Sequence, residues 1–136
     1  MSERLFELIL AVKRKCQSNE ERIQHELGLS PAQLNGLIVL DESRALSGGE
    51  FAARMALSVS RSSRVLNTLA TDGYVQAQES PDDRRAVSIS LSPQGRRTRQ
   101  QIFRRMEACE RRIGRALDDQ RVGQVKSALQ LLATVL

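Results

Sequence analysis

The stretch that decides the fold of this 136-residue chain is LSGGEFAARMALSVSRSSRVLNTLATDG, residues 46–73. Ser47 precedes Glu50 by three positions, the spacing of a capping box: a hydroxyl accepts from an amide in the first helical turn while the carboxylate reaches back. Leu46 and Phe51 fit the hydrophobic staple that accompanies such a box. The helix it opens is short, holding Phe51, Ala52 and Met55 and stopping at Ala56-Leu57, and Ser58 then offers a fresh N-cap. The next helix carries Val59, Leu66 and Leu69 as its packed side and closes at Gly73. A short helix, a tight turn and a longer second helix form a helix-turn-helix pattern.

Past Gly73 the period changes from helical to two. Tyr74-Val75-Gln76-Ala77-Gln78 reads as a strand, and Val87, Ile89 and Leu91 alternate with Ser88 and Ser90 in a clearer one. Between them, Ser80-Pro81-Asp82-Asp83-Arg84-Arg85 is turn chemistry ending in two bases, so a basic-tipped hairpin follows the helix-turn-helix at once. This is the layout of a wing. Ser92-Pro93 marks another helix start, and the long helix beyond it spaces Ile102, Met106, Cys109, Ile113 and Leu117 almost as heptads. Asp118 or Asp119 opens a last helix with Val122, Val125, Leu129, Leu132 and Leu136. On the N-terminal side, Leu5, Leu8, Ile9, Val12, Cys16, Ile23 and Leu27 predict a helix over 3–27, with a polar gap at Asn19 and Glu20 and a stop at Gly28. Ser30-Pro31-Ala32-Gln33 is a second capping box with a first-turn proline, stapled by Leu29 and Leu34, for a helix running to about Asp41. The last two helices have narrow apolar seams and lie outside the winged part, so their expected partners are the first helix and a second copy of the chain.

Composition bounds the alternatives. With 40% hydrophobic and 3% aromatic residues and no Trp, the core is aliphatic, and a small aliphatic core gains from a partner chain. The net charge of +5, carried mostly by Arg, suits phosphate partners. Glu3 and Glu7 interrupt the apolar N-terminal stretch, which therefore does not read as a signal peptide, and no apolar run approaches a membrane span. A cytoplasmic protein with no membrane contact is expected. Cys16 and Cys109 lack CxxC spacing and have only His25 for company, so no metal site is expected. Both cysteines fall on apolar stripes and read as small buried hydrophobes in preference to redox sensors. His25 reads as a surface residue. Asp41-Glu42 has no nucleophile beside it and reads as an acid pair at a helix end. Without a phosphate loop, triad or metal cluster, neither an enzyme nor a bound cofactor is expected.

The order of parts resembles the MarR family of winged helix-turn-helix transcriptional regulators over nearly the whole chain. Glu50-Phe51-Ala52-Ala53-Arg54-Met55 resembles the family's Glu-Leu-Ala helix, and Leu57-Ser58-Val59-Ser60 followed by Arg64, Leu69, Gly73 and Val75 resembles its recognition helix. Asp82-Asp83-Arg84-Arg85-Ala86-Val87 with Leu91-Ser92-Pro93-Gln94-Gly95-Arg96 resembles its wing and the start of its dimer helix. One departure is Arg61-Ser62-Ser63 where the family has a Thr-Val-Thr-like run, which puts Ser62 at an inward-facing position and adds a base at Arg61. The resemblance implies a mainly α fold in the order helix, helix, short strand, helix, helix, strand, strand, helix, helix. Residues 1–136 would form one domain, with 31–92 as the DNA-binding part and 1–29 and 93–136 as dimerisation helices. It further implies a homodimer on double-stranded DNA at a pseudo-palindromic operator. Repression would be relieved by a small effector, for which aromatic or phenolic compounds are the expected class.

On the recognition helix the candidate DNA-binding residues are Ser58, Ser60, Arg61, Ser63, Arg64 and Asn67. Arg64 has the fork to bind guanine O6 and N7 together, and the amides capped by Ser58 can meet a phosphate. On the wing they are Asp83, Arg84 and Arg85, one Arg entering the minor groove with Asp83 orienting it. Arg96 and Arg97 lie near the wing in sequence and are candidates for phosphate. Arg99, Arg104, Arg105, Arg111, Arg112 and Arg115 read as a solvated helix face. Two other readings use the same residues: a winged-helix module that binds an acidic protein, and a thiol-based redox-sensing regulator.

Overall fold

The computed structural model describes residues 4–79 and 87–136. The chain forms two compact bodies, Met1–Ile102 and Phe103–Leu136. Its elements are α1 (Leu5–Leu27), α2 (Pro31–Val39), β1 (Leu46–Ser47), α3 (Gly48–Met55), α4 (Val59–Thr71), β2 (Val75–Glu79), β3 (Val87–Leu91), α5 (Pro93–Ala116) and α6 (Asp119–Val135).

The expected helix ends are present as hydrogen bonds. Gly28 closes α1 in the left-handed region at φ 68°, where an L side chain would be strained. The Ser30 hydroxyl accepts from the Gln33 amide at 3.1 Å, and the Gln33 carboxamide oxygen accepts from the Ser30 amide at 3.0 Å. Ser47 and Glu50 make the same reciprocal pair at 3.1 and 3.2 Å. Helix α2 ends at Val39, short of the expected Asp41, because Leu40 turns to extended backbone at ψ 148°.

In the first body the three strands form an antiparallel sheet in the order β1-β3-β2. Leu46 pairs with Ile89, and Val75, Ala77 and Glu79 pair with Leu91, Ile89 and Val87. The alternation expected of the second strand holds: Ile89 and Leu91 point into the core while Ser88 is exposed. Leu34, Leu37, Leu40, Leu46, Phe51, Leu69, Ile89 and Ile102 are the fully buried centre. Two glycines allow its close approaches. A Cβ on Gly36 would stand 2.9 Å from Leu69 Cδ1, so α2 and α4 touch nearly backbone to side chain. A Cβ on Gly95 would stand 1.9 Å from the Tyr74 carbonyl oxygen, which already accepts from the Ser92 amide at 3.0 Å. Ser92 also caps α5, its hydroxyl accepting from the Gly95 amide at 3.0 Å and donating to the Gly73 carbonyl. The Ser-Pro-x-Gly run thus seats the first turn of α5 on the turn between α4 and β2.

Three expectations are corrected. The packed side of α4 runs through Ser62, Val65 and Leu69 with Leu66 half-buried, whereas Val59 is 71% exposed. At about 100° per residue, Val59 stands roughly a quarter-turn off the line through Val65 and Leu69. Cys16 is exposed and Cys109 only half-buried, its sulfur receiving an Arg112 guanidinium N–H at 3.1 Å. Arg99, expected on a solvated face, is largely buried against the end of α2, as described below.

The second body comprises the rest of α5 and α6. Asp118 is the cap that opens α6, its carboxylate accepting from the Arg121 amide at 2.8 Å. No side chain of α6 is buried, and Met106, Ile113, Val125 and Leu129 are exposed. In the first body α1 likewise exposes Leu5, Phe6, Leu8 and Val12. Among the described residues no helix is long and apolar enough to cross a membrane, and no group of three His, Cys, Asp or Glu could hold a metal ion.

Candidate nucleic-acid interface

The turn between α3 and α4 fixes where α4 starts. Ala56 takes the left-handed conformation at φ 54° and donates to the Ala53 carbonyl at 3.1 Å, and Leu57 donates to Ala52 at 3.1 Å. The Ser58 hydroxyl then accepts from the Arg61 amide at 3.2 Å. Ser62 and Ser63 both donate to the Val59 carbonyl at 2.9 Å, so three hydroxyls tie down the first turn. Ser62 is buried, as its inward position implied, and that bond satisfies its hydroxyl. Beside it lies an open cavity of about 260 Å³ lined by Phe51, Val59, Leu66, Val87 and Ile89. A larger inward side chain than serine would take up part of this room.

The outward face of α4 collects the residues expected of it. Ser60, Arg61, Ser63, Arg64 and Asn67 are all exposed. At about 100° per residue, Ser60, Arg64 and Asn67 lie opposite the buried line, Ser63 and Arg61 on its two flanks. No carboxylate occurs in α4. The first one after it, Asp72, is turned back to α2, accepting from the Gln33 carboxamide at 2.7 Å. The face is therefore cationic and rich in donors. Arg96 and Arg97 are exposed in the first turn of α5. Asp83, Arg84 and Arg85, the expected wing residues, lie outside the described residues.

A second cluster, which no local pattern in the sequence announced, holds the helix-turn-helix from behind. Arg99 of α5 donates from Nε to the Leu37 carbonyl at 3.0 Å and from Nη2 to Ile38 at 3.4 Å, with Nη1 3.6 Å from Glu42. Arg54 of α3 donates from Nη1 to the Val39 carbonyl at 2.9 Å and to Asp41 at 3.0 Å. Three successive carbonyls at the end of α2, which the helix itself leaves without partners, are thus taken by two guanidiniums. Arg44 pairs with Glu50 at 3.0 Å and lies 3.6 Å from Asp41. The hydrogen bond from Arg54 holds the Asp41 carboxyl below its ordinary 3.8, and that from Arg44 holds Glu50 below 4.5. Asp41 and Glu42 are structural acids, as their place at a helix end suggested.

The fold has counterparts among solved structures. Residues 27–86 match the family model described as the MarR family. Over this stretch the chain is similar to the MarR family. It is 26% identical over 110 residues to the HTH-type transcriptional regulator YsmB of Bacillus subtilis, covering 81% of this chain and 75% of that protein. Its backbone superposes on a MarR-family regulator from Rhodococcus sp. RHA1 with a TM-score of 0.78 at 23% identity, over 99% of both chains. It superposes on wild-type E. coli MarR with a TM-score of 0.76 at 19% identity, over 97% of this chain and 98% of that one. The Bacillus subtilis relative is named as a transcriptional regulator, and the solved structures share their winged-helix fold with this chain.

Proposed function

We propose that this chain is a MarR-family regulator that acts in the cytoplasm as a homodimeric, sequence-specific repressor and releases a pseudo-palindromic operator on binding a small aromatic or phenolic effector. Residues 31–92 form the DNA-binding part, and 1–29 and 93–136 the dimerisation helices. The observation that carries the reading is the outward face of α4, where two Arg, two Ser and an Asn are exposed with no carboxylate among them. Such a face suits a major groove, whose base edges accept from Arg, Asn and Ser and whose flanking phosphates repel acids. In this reading Arg64 binds a guanine, Ser60, Ser63 and Asn67 contact base edges or sugar-phosphate, Arg61 meets phosphate, and the amides capped by Ser58 meet another. Asp83, Arg84 and Arg85 complete the contact at the minor groove. The apolar side chains exposed on α1 and α6 support dimerisation, because they leave seams that a single chain does not cover. Two copies would set their α4 helices one duplex turn apart, about 34–36 Å.

The test is fluorescence anisotropy on a duplex that the purified protein selects from a random pool. Nanomolar affinity that falls steeply with salt is expected, each phosphate contact contributing about −0.9 to the log–log slope. Arg64→Ala should cost about 1–3 kcal/mol per half-site and relax the preference at one base pair. Equal affinity of wild type and Arg64→Ala for every sequence would remove Arg64 from base reading.

A further inference from the structure

Val59 stands at the edge of the face just described, about a quarter-turn from the buried line of α4. Among the described residues, the other strongly exposed large apolar side chains lie in α1, in α5 and between Val125 and Leu136. Val59 alone lies within the helix-turn-helix and its sheet, at the first position of α4. A single exposed valine signifies little by itself. Its place does: the N-terminal half of a recognition helix is the part nearest the base edges. Ser63 follows it by four positions on the same stripe, and Ser60 adjoins it.

We propose that Val59 is a specificity-determining residue that packs against the C5-methyl group of a thymine in each half-site. The inference rests on the DNA reading above and adds the base that this side chain selects. The major-groove edge of a T·A pair carries one apolar group, the thymine methyl, which the neighbouring Ser, Arg and Asn side chains are not suited to recognise. Val59 supplies the complementary surface. Its backbone is fixed, because its carbonyl accepts both the Ser62 and Ser63 hydroxyls at 2.9 Å. Its β-branched side chain has a single stiff torsion, so little freedom is lost on contact. A phosphate or a guanine at this position would leave the valine facing a polar group, with no burial in return.

The experiment replaces each thymine of the selected duplex, one at a time, by deoxyuridine, which removes the methyl and keeps every hydrogen-bonding group. Wild type is expected to lose about four-fold in affinity at one thymine position of a half-site, the value of one buried methyl. Val59→Ala is expected to lose less than about 1.5-fold at that position, and Val59→Ile, which keeps an apolar side chain there, to retain the wild-type sensitivity. The proposal is overturned if no thymine is sensitive in wild type, or if Val59→Ala shows the same loss on demethylation. Should Val59→Ala fail to fold by circular dichroism, a Val59→Ser variant that remains methyl-sensitive overturns it equally. Failure of wild type to bind any duplex is a different result, which would reject the DNA reading itself and this proposal with it.

Discussion

Removing the Arg99 guanidinium tests the idea that α2 is held from outside. Arg99→Met keeps much of the aliphatic stem but deletes the donors to the Leu37 and Ile38 carbonyls at 3.0 and 3.4 Å. The Arg99 side chain is only 17% exposed, so water replaces these partners poorly. The shorter bond has good geometry and a charged donor, worth about 1.5–3 kcal/mol net, and the longer one adds less. The ion pair with Glu42 spans 3.6 Å, and the Glu42 side chain is 42% exposed, so solvent screening leaves it a small part of the total. The expected loss is about 2 kcal/mol. Urea unfolding followed by circular dichroism at one fixed protein concentration reads it, since the proposed dimer would make apparent stability depend on concentration. Arg99→Lys should recover no more than about half, because one ammonium lacks the planar fork that spans two carbonyls. Arg97→Ala, on an exposed neighbour, should stay within about 0.5 kcal/mol of wild type. If Arg99→Met also unfolds within about 0.5 kcal/mol of wild type, Arg99 is not a clamp and the end of α2 is satisfied otherwise.

Two further outcomes are expected. Gly95→Ala would force a methyl to within 1.9 Å of the Tyr74 oxygen, so a loss of about 3 kcal/mol or failure to fold is expected in the same urea assay, and near-normal stability would show that α5 can shift freely there. The folded carboxyls of Asp41 and Glu50 lie below their ordinary values, so their contribution is complete above the unfolded pKa near 4 and fades as pH falls through the folded ones. The urea midpoint should hold between pH 7 and pH 5 on this account and decline below about pH 4, less steeply in Asp41→Asn; identical acid profiles for the two proteins would discard the Arg54 pairing as the cause.

The helix starts were legible because capping is local chemistry: Ser30 with Gln33, Ser47 with Glu50, Ser58 and Ser92 make the bonds that their spacing predicts, and of the two candidates Asp118 and Asp119 the first is the cap. The order of the helices and of the two wing strands followed from these starts and from the change of period at Tyr74, whereas the short strand β1 came only from the family resemblance. Orientation within a helix was less legible. Counting apolar residues put Val59 inward and passed over Val65, since periodicity records residue type and the core line is set by what packs against it. Cys16 was misplaced for the same reason, lying on an apolar stripe of α1 that is exposed. The outward residues of α4 were readable because the rest of the helix was spoken for. Arg99 and Gln33 were not readable as tethers, because their partners lie 62 and 39 residues away in sequence, beyond any local rule.

At the end of α2, the winged body is riveted where three helices converge, with Arg99 and Arg54 as the rivets and the backbone of Leu37, Ile38 and Val39 as the plate. A push on the first turns of α5 therefore arrives at α3 without slack, passing through hydrogen bonds and not through a compliant loop. On the DNA reading proposed above, the angle at which this body would meet a duplex depends in part on a joint away from the proposed contacting face, and substitutions that retune binding can be sought there as well.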